Sequence, residues 1–379
     1  MKRISIPMAA NDLTISLAQR FCHAKGIAKP TIQDLVASEA KNVKALWETF
    51  TIDRENLPRY LMNPKKQRSA YLMGFHLPNL MRSTLTWKRA ENRYKTMQKI
   101  VESKQPIHIL DIGSGTGAMT HGLILLLQSW GIDEARIQVT AIDQNKAFLE
   151  TVTSGNQHLS KKIKTRTIAT DIKNWNLQKT HLDKEHIHFI ILGYVWNEIS
   201  RVGHLKRKME RFLSQILTMQ NAFIQISEPA NQTFAREAMS LRENLAKHSK
   251  IIYPCPNRTD CPMLERQRDW CYSEFHWKPP SWINSLDKKL DLSRSMLAGA
   301  GYIFSTRPLQ PNHSSAITVI VGKPLRSSNK KYKKKSEYEL LLCSENGLSK
   351  QIPPEYSKST LMRGQLLRNP SIVERKTGE

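Results

Sequence analysis

The segment HILDIGSGTGAMTHGL, residues 108–123, constrains the fold more than any other part of the chain. An apolar run ends at Asp111, glycines at Gly113, Gly115 and Gly117 turn the chain, and a helix is expected from about Ala118. Glycines permit a tight turn and close approach of a ligand to the backbone, while a helix N-terminus offers unpaired N–H groups to a carboxylate or phosphate. Ile- and Val-rich runs recur along the chain as IHILDIG, IQVTAID, KTRTIATD, HFIILGY and FIQISEP. Most intervals between them hold a helix, such as Ala118–Trp130 and Lys206–Met219. Strands alternating with helices predict an α/β fold with a mostly parallel, Rossmann-like sheet.

Two ligands compete for the glycine loop, because G-x-G-x-x-A also fits a dinucleotide fingerprint. Asp111 discriminates between them. A pyrophosphate beside it would cost roughly 3 kcal/mol for one charge pair at about 6 Å and an effective dielectric near 20. S-adenosyl-L-methionine carries an ammonium and a sulfonium, so a carboxylate there is favourable. The loop thus resembles the first motif of class I methyltransferases. Asp143 ends the next strand, where an acid can accept ribose hydroxyls, and Asp171 follows the third, where methyltransferases commonly contact the adenine amino group. Three successive strands ending in Asp are more specific than one, since a lone Asp there often caps a helix.

Residues 1–100 read as a helical region, with apolar spacing for amphipathic helices in Thr31–Phe50 and Met81–Val101. Between these, Arg59, Lys65, Lys66 and Arg68 mix with Tyr60, Tyr71 and Phe75. That pattern suits phosphate contact and base stacking, or equally a solvated charged face. A methyltransferase core is expected over residues 101–250 and a cysteine-rich insertion over 251–300. Residues 301–350 are expected to complete the sheet by Tyr302–Thr306 and Ala316–Val321, with a basic loop at Lys330–Lys335 and a last strand carrying Cys343, before a weakly ordered tail over 351–379. The net charge of +25 suggests a polyanionic partner, RNA or DNA before an anionic membrane. No run approaches the ~20 apolar residues of a membrane span. The N-terminus has neither a secretory h-region nor a transit-peptide composition, so a cytoplasmic location is expected, with the mitochondrial matrix as the alternative.

The chemistry is expected after the fourth strand, in GYVWNEIS. Trp196 there can stack on a base, and Asn197 or Glu198 can hydrogen-bond it; the competing reading makes Trp196 core and Glu198 a helix cap. The remaining motif is YPCPNRTDCPMLERQRDWC, with Cys255, Cys261 and Cys271. Its C-x5-C-x9-C spacing lacks zinc-ribbon knuckles, whereas iron–sulfur ligands need only converge in space. Pro256 and Pro262 bias Cys255 and Cys261 toward extended backbone. Cys343, Cys22, His248 and His276 are candidates for a fourth ligand, and three free buried thiols are the competing reading.

PCP…CP…DWC downstream of D-I-G-S-G-T-G resembles the Rsm-type methyltransferase-like family of the small ribosomal subunit. The resemblance extends to PRYLMNPKKQRSAYL, WNEI, SEPA and LLLCSENGL, over about residues 55–350. It implies a class I methyltransferase fold, small-subunit rRNA or the nascent subunit as partner, and a [4Fe–4S] cluster, with zinc as the alternative. The basic loop at Lys330–Lys335 would grip that rRNA. The cluster ligands would be Cys255, Cys261, Cys271 and Cys343. Tyr272 departs from the family, which usually has His after the third cysteine. The implied function is rRNA methylation or, alternatively, non-catalytic assembly of the small subunit, by a chain expected to be a monomer when free.

Overall fold

The computed structural model describes residues 6–51, 58–94, 104–174, 186–220, 222–256, 260–307, 317–323, 325–326, 338–351 and 361–368. They belong to two compact units, one of residues 1–85, 101–193 and 276–297, the other of 86–100, 194–275 and 298–379.

The first unit opens with helices. Helix α1 (Ile6–Phe21) buries Ile6, Ala10, Leu13 and Leu17, one apolar stripe at helical spacing. Helix α2 (Ile32–Thr51) starts at a reciprocal cap: the Thr31 N–H donates to Asp34 Oδ2 at 2.8 Å and the Asp34 N–H to Thr31 Oγ1 at 3.3 Å. Helix α3 (Pro64–Tyr71) is capped by the Asn63 side chain, which accepts from the Lys65 and Lys66 N–H groups. One π-helical turn (Leu72–His76) then leads into α4 (Leu77–Arg93).

This arrangement corrects part of the basic–aromatic reading. Tyr71 and Phe75 pack edge-on against Phe50 at 5.9 and 5.5 Å, and Tyr71 also meets Phe148 at 5.5 Å. Arg68 is buried, paired with Glu150 at 2.8 Å and set over the Phe21 ring. These three hold the helices together; Arg59, Tyr60, Lys65 and Lys66 stay exposed.

The sheet of this unit runs in the order β3 (Lys164–Ala169), β2 (Ile137–Asp143), β1 (Ile107–Ile112), β4 (Phe189–Gly193), all parallel. Helices α5 (Ala118–Ser129) and α6 (Lys146–Leu159) are its crossovers. The chain winds from β1 toward β2 in one direction and reaches β4 in the other. The loops leaving β1 and β4 therefore part, and a crevice opens at the carboxyl ends of these strands, where open α/β sheets bind ligands.

In the second unit, α7 (Trp196–Ile199), α8 (Gly203–Gln220) and α9 (Gln232–Ala246) accompany β5 (Phe223–Glu228), β6 (Lys250–Tyr253) and β8 (Met296–Ser305). The order is β5-β8-β6, with β8 antiparallel to both and β7 (Ser273–His276) paired to it. A separate sheet orders β10 (Leu325–Arg326), β11 (Tyr338–Ser344), β9 (Ile317–Ile320) and β13 (Leu366–Arg368), with β12 (Gly347–Gln351) on β11. Helix α10 (Ser281–Leu290) belongs to the first unit.

Two expectations change here. Tyr302–Thr306 falls largely on β8, as expected, but β9 leaves the main sheet and pairs with β11 and β13. Ile320, Leu340, Leu342, Leu361 and Leu367 give this second sheet a core of its own. Residues 361–368, expected to be weakly ordered, carry β13 and two of those core leucines. The Lys330–Lys335 run lies outside the described residues.

Candidate cofactor site and cysteine cluster

Asp111 and the three glycines converge at the crevice of the first unit. The Gly113 and Ser114 N–H groups both donate to the Ile142 carbonyl, at 2.8 and 3.0 Å, which stitches the loop to the end of β2. Gly113, Gly115 and Gly117 all have positive φ, at 69°, 52° and 79°. At Gly115 an added Cβ would meet nothing within 4 Å, so the glycine is required by the backbone turn and faces open space. Helix α5 begins at Gly117 without a side-chain cap, leaving first-turn N–H groups for a ligand carboxylate.

Two carboxylates flank this loop. Asp111, 1 % exposed, accepts a 2.6 Å hydrogen bond from the Thr120 hydroxyl. Burial pushes its carboxyl up to about 7; the Thr120 bond opposes the rise and the nearby Asp143 adds to it. Asp143 accepts from the Gly115 N–H through Oδ2 and from the Asn145 N–H through Oδ1, each at 2.8 Å. Burial raises its pKa as well, and those backbone bonds restrain the shift. A carboxylate oxygen accepts more than one bond, so both oxygens keep capacity for ribose hydroxyls. Asp171 caps the turn Ile172–Asn174 by accepting from the Lys173 N–H at 2.9 Å. The donors and acceptors fit S-adenosylmethionine: N–H groups for its carboxylate, carboxylates for its cations and hydroxyls.

A buried relay behind the loop was not legible in the sequence. His76, in the π-helical turn, meets Thr116 Oγ1 through Nδ1 at 2.9 Å and His121 Nδ1 through Nε2 at 3.4 Å; His121 Nε2 meets the Val152 carbonyl at 3.4 Å. The carbonyl can only accept, so His121 carries its proton on Nε2. Burial lowers His121 to about 4 and drives His76 well below the ordinary value, so both rings are neutral at pH 7. Every direction then follows: His76 Nε2–H donates to His121 Nδ1, and the Thr116 hydroxyl donates to His76 Nδ1. Gly155 is part of this arrangement, since a Cβ there would lie 2.3 Å from the His121 ring.

In the second unit, Trp196 and Asn197 are both fully buried. The Trp196 N–H donates to Glu228 Oε1 at 2.8 Å and its indole N–H to the Glu237 carbonyl at 3.3 Å. Neither face of its ring is open to stack on a base, which corrects that expectation. The Asn197 amide donates to Glu228 Oε2 at 2.6 Å and to the Tyr194 carbonyl at 3.0 Å. Glu198 is exposed. The organising group is Glu228, which ends β5 as Asp111 and Asp143 close β1 and β2. Tyr194, with φ of 63°, enters this turn in a left-handed conformation that costs roughly 1–2 kcal/mol for a non-glycine residue.

Cys261, Cys271 and Cys343 are buried and Cys255 is half-buried. Burial pushes the Cys261 thiol up to about 11, with Cys255 adding to the rise, and Cys343 up to about 12, with Cys255 and Cys261 adding. Cys271 is raised well above its ordinary value by burial and by all three other cysteines. The influence of Cys255 on the other three thiols, and of Cys261 on Cys271 and Cys343, puts all four in one neighbourhood. Arg242, 1 % exposed, hydrogen-bonds Cys255, and the Cys261 and Cys271 N–H groups are held by Glu243 and Met239. Cys22 sits in the other unit, against the Ser69 carbonyl. Among the described residues no group of His, Cys, Asp or Glu is set to hold a metal ion. The thiol donors suit a soft metal or an iron–sulfur cluster, but they are not drawn together as around one tetrahedral ion.

Parallel strands in the order 3-2-1-4, a glycine loop after the first, and a block containing a reversed strand define a class I methyltransferase-like protein. The family described as mitochondrial small ribosomal subunit Rsm22 matches residues 79–331, well over half of the chain, and the protein belongs to it. No curated protein matches. Among solved structures, the plantazolicin methyltransferase BpumL in complex with SAH is similar at 17 % identity and TM-score 0.33, over 73 % of this chain and 99 % of its own. Precorrin-6y C5,15-methyltransferase from Geobacter metallireducens is similar at 9 % identity and TM-score 0.32, over 56 % and 87 %. Scores this low leave the fold assignment to strand order and family.

Proposed function

We propose that the protein is an S-adenosylmethionine-binding, methyltransferase-like factor that acts on the rRNA of the nascent small ribosomal subunit. The observation that carries this reading is the glycine loop held between Asp111 and Asp143, with an uncapped helix N-terminus behind it. When bound, the cofactor supplies an electrophilic methyl group. The chain's own residues hold its carboxylate at the α5 N-terminus, neutralise its charge with Asp111 and orient the ribose with Asp143, while Asp171 is placed for the adenine. The family's description favours the mitochondrial matrix over the cytoplasm. Titration calorimetry tests the cofactor half: S-adenosylmethionine should bind and NAD should not. An Asp143→Asn variant should lose tenfold or more in affinity; unchanged binding would refute the assignment.

A second reading, assembly without methyl transfer, is favoured by the burial of Trp196 and Asn197, whose side chains are committed to the Glu237 carbonyl and to Glu228. Methyl incorporation into small-subunit precursors separates the two, with loss of labelling in Asp111→Ala marking an enzyme. We also place a [4Fe–4S] cluster on Cys255, Cys261, Cys271 and Cys343. Its support is four cysteines in one neighbourhood beside a buried arginine, an arrangement that offsets the negative charge of thiolate ligands.

A further inference from the structure

The excess positive charge must be concentrated somewhere to grip a polyanion, and the 58–78 stretch keeps only part of the surface that its sequence suggested. Of the 58–78 stretch, Tyr71, Phe75 and Arg68 are packed inward while Arg59, Tyr60, Lys65 and Lys66 stay exposed, and the lysine run falls outside the described residues. Helix α8 carries a third concentration. Leu205, Met209, Phe212, Leu213, Ile216 and Leu217 form its buried stripe. On the opposite face His204, Arg207, Lys208 and Arg211 are exposed at spacings of three and four, and exposed Arg201 lies just before the helix. The far half of the helix carries no cation.

Helix stability does not explain this placement. The charge sits in the first half of α8, where the helix dipole disfavours cations by about 0.3–1 kcal/mol each near the first turn, and that turn holds no acid. The one acidic residue of the helix, Glu210, accepts from the Asn244 amide at 2.9 Å. Among the described residues no carboxylate pairs with Arg201, Arg207 or Arg211. Arg211 instead donates through Nε to the Arg207 backbone carbonyl at 3.4 Å, one helical turn back on the same face. From His204 to Arg211 that ridge runs about 10 Å along the axis, enough to follow consecutive phosphates of one strand. In sequence it follows directly on α7, the segment expected to face the chemistry.

We propose that the exposed ridge of α8, with Arg201, Arg207 and Arg211 as its anchors, is the phosphate-binding surface for a strand of RNA. This rests on the reading of the protein as an RNA-directed factor. Because the contacts are to phosphates, binding should be salt-dependent and tolerant of sequence.

The test is fluorescence anisotropy with a labelled single-stranded 20-nucleotide RNA across salt concentrations, on the full chain. Arg201→Gln, Arg207→Gln and Arg211→Gln together should lower the slope of log K against log salt by about 2, at roughly 0.7 per phosphate contact, and weaken binding at 0.1 M salt on the order of tenfold or more. A control triple at exposed Lys41, Lys44 and Lys161 should leave the slope within error of the parent. Equal losses in both triples, or none in the α8 triple, would overturn the surface assignment while leaving RNA binding intact. If the unaltered protein binds no RNA at any salt, the functional reading fails first, and the surface with it. Circular dichroism matched to the parent shows that the α8 triple folds.

Discussion

Asp111 is a buried carboxyl whose ionisation a cationic ligand would favour. Its carboxyl rises from 3.8 to about 7 through burial, so between those pH values the folded chain keeps a proton the unfolded chain has released. Stability therefore falls as pH rises from about 4 to about 7 and stays at the lower level above it. Full expression of that shift is worth roughly 4 kcal/mol. Asp111→Asn should remove this slope: urea unfolding should find the variant more stable than the parent at pH 8 and nearly equal at pH 4. The same change should weaken cofactor affinity by about tenfold or more, because a neutral amide supplies no charge to the sulfonium and ammonium. Parent affinity should itself strengthen as pH rises through about 7. Loss of stability in Asp111→Asn at pH 8 would show that the carboxylate is held by a partner not identified above. The histidine relay gives a second residue-scale expectation. Nitrogen-15 shifts of selectively labelled histidine should place the proton of both His76 and His121 on Nε2, with both rings neutral at pH 5.5. A proton on His121 Nδ1 would sink the derivation, since the Val152 carbonyl would then lack a donor.

At the scale of elements, Glu228 joins the end of β5 to the start of α7, binding two backbone N–H groups and one side-chain amide. Glu228→Gln keeps the shape but puts an NH2 group against a donor, leaving a buried donor unpaired at a cost of about 1–3 kcal/mol. Thermal unfolding should report that loss with the far-ultraviolet spectrum unchanged; full stability would mean that the carboxyl is protonated and already donating. These contacts also show what the sequence could carry. Alternation of apolar runs located β1 to β5, and the glycine loop with Asp111 and Asp143 located the cofactor crevice, because strand ends and turns are written locally. Whether Trp196 faced solvent or core depended on Glu228, more than thirty residues away, and no local pattern records that. Tyr71, Phe75 and Arg68 looked like an RNA surface for the same reason: their partners Phe50, Phe148 and Glu150 come from other helices. The strand character of β9 was readable, but its choice of sheet was settled by leucines on β11 and β13.

For the molecule as a whole, the proposed cluster would tie three stretches of the second unit: the loop after β6, the entry to β7, and β11. Residues 255, 261 and 271 lie within seventeen positions, whereas Cys343 comes from the second sheet, where it pairs in register with Leu348 and Val319. A metal group bridging them would close a loop of more than seventy residues, and closing long loops is where a cross-link restricts the unfolded chain most. Metal binding that requires a preformed site contributes its free energy to folding. Loss of the Cys343 ligand should therefore act on the second sheet before it acts on the cofactor crevice. Anaerobically purified protein should be brown, with absorbance near 400 nm. Cys343→Ala should lose most of that colour and gain proteolytic sensitivity in residues 317–368, while S-adenosylmethionine affinity stays within about threefold of the parent. Cys22→Ala should leave both colour and digestion pattern unchanged, because its thiol lies in the other unit. Colourless parent protein holding one zinc per chain would replace the cluster with a single ion; full colour in Cys343→Ala would remove β11 from the ligand set and leave the second sheet to its leucine core alone.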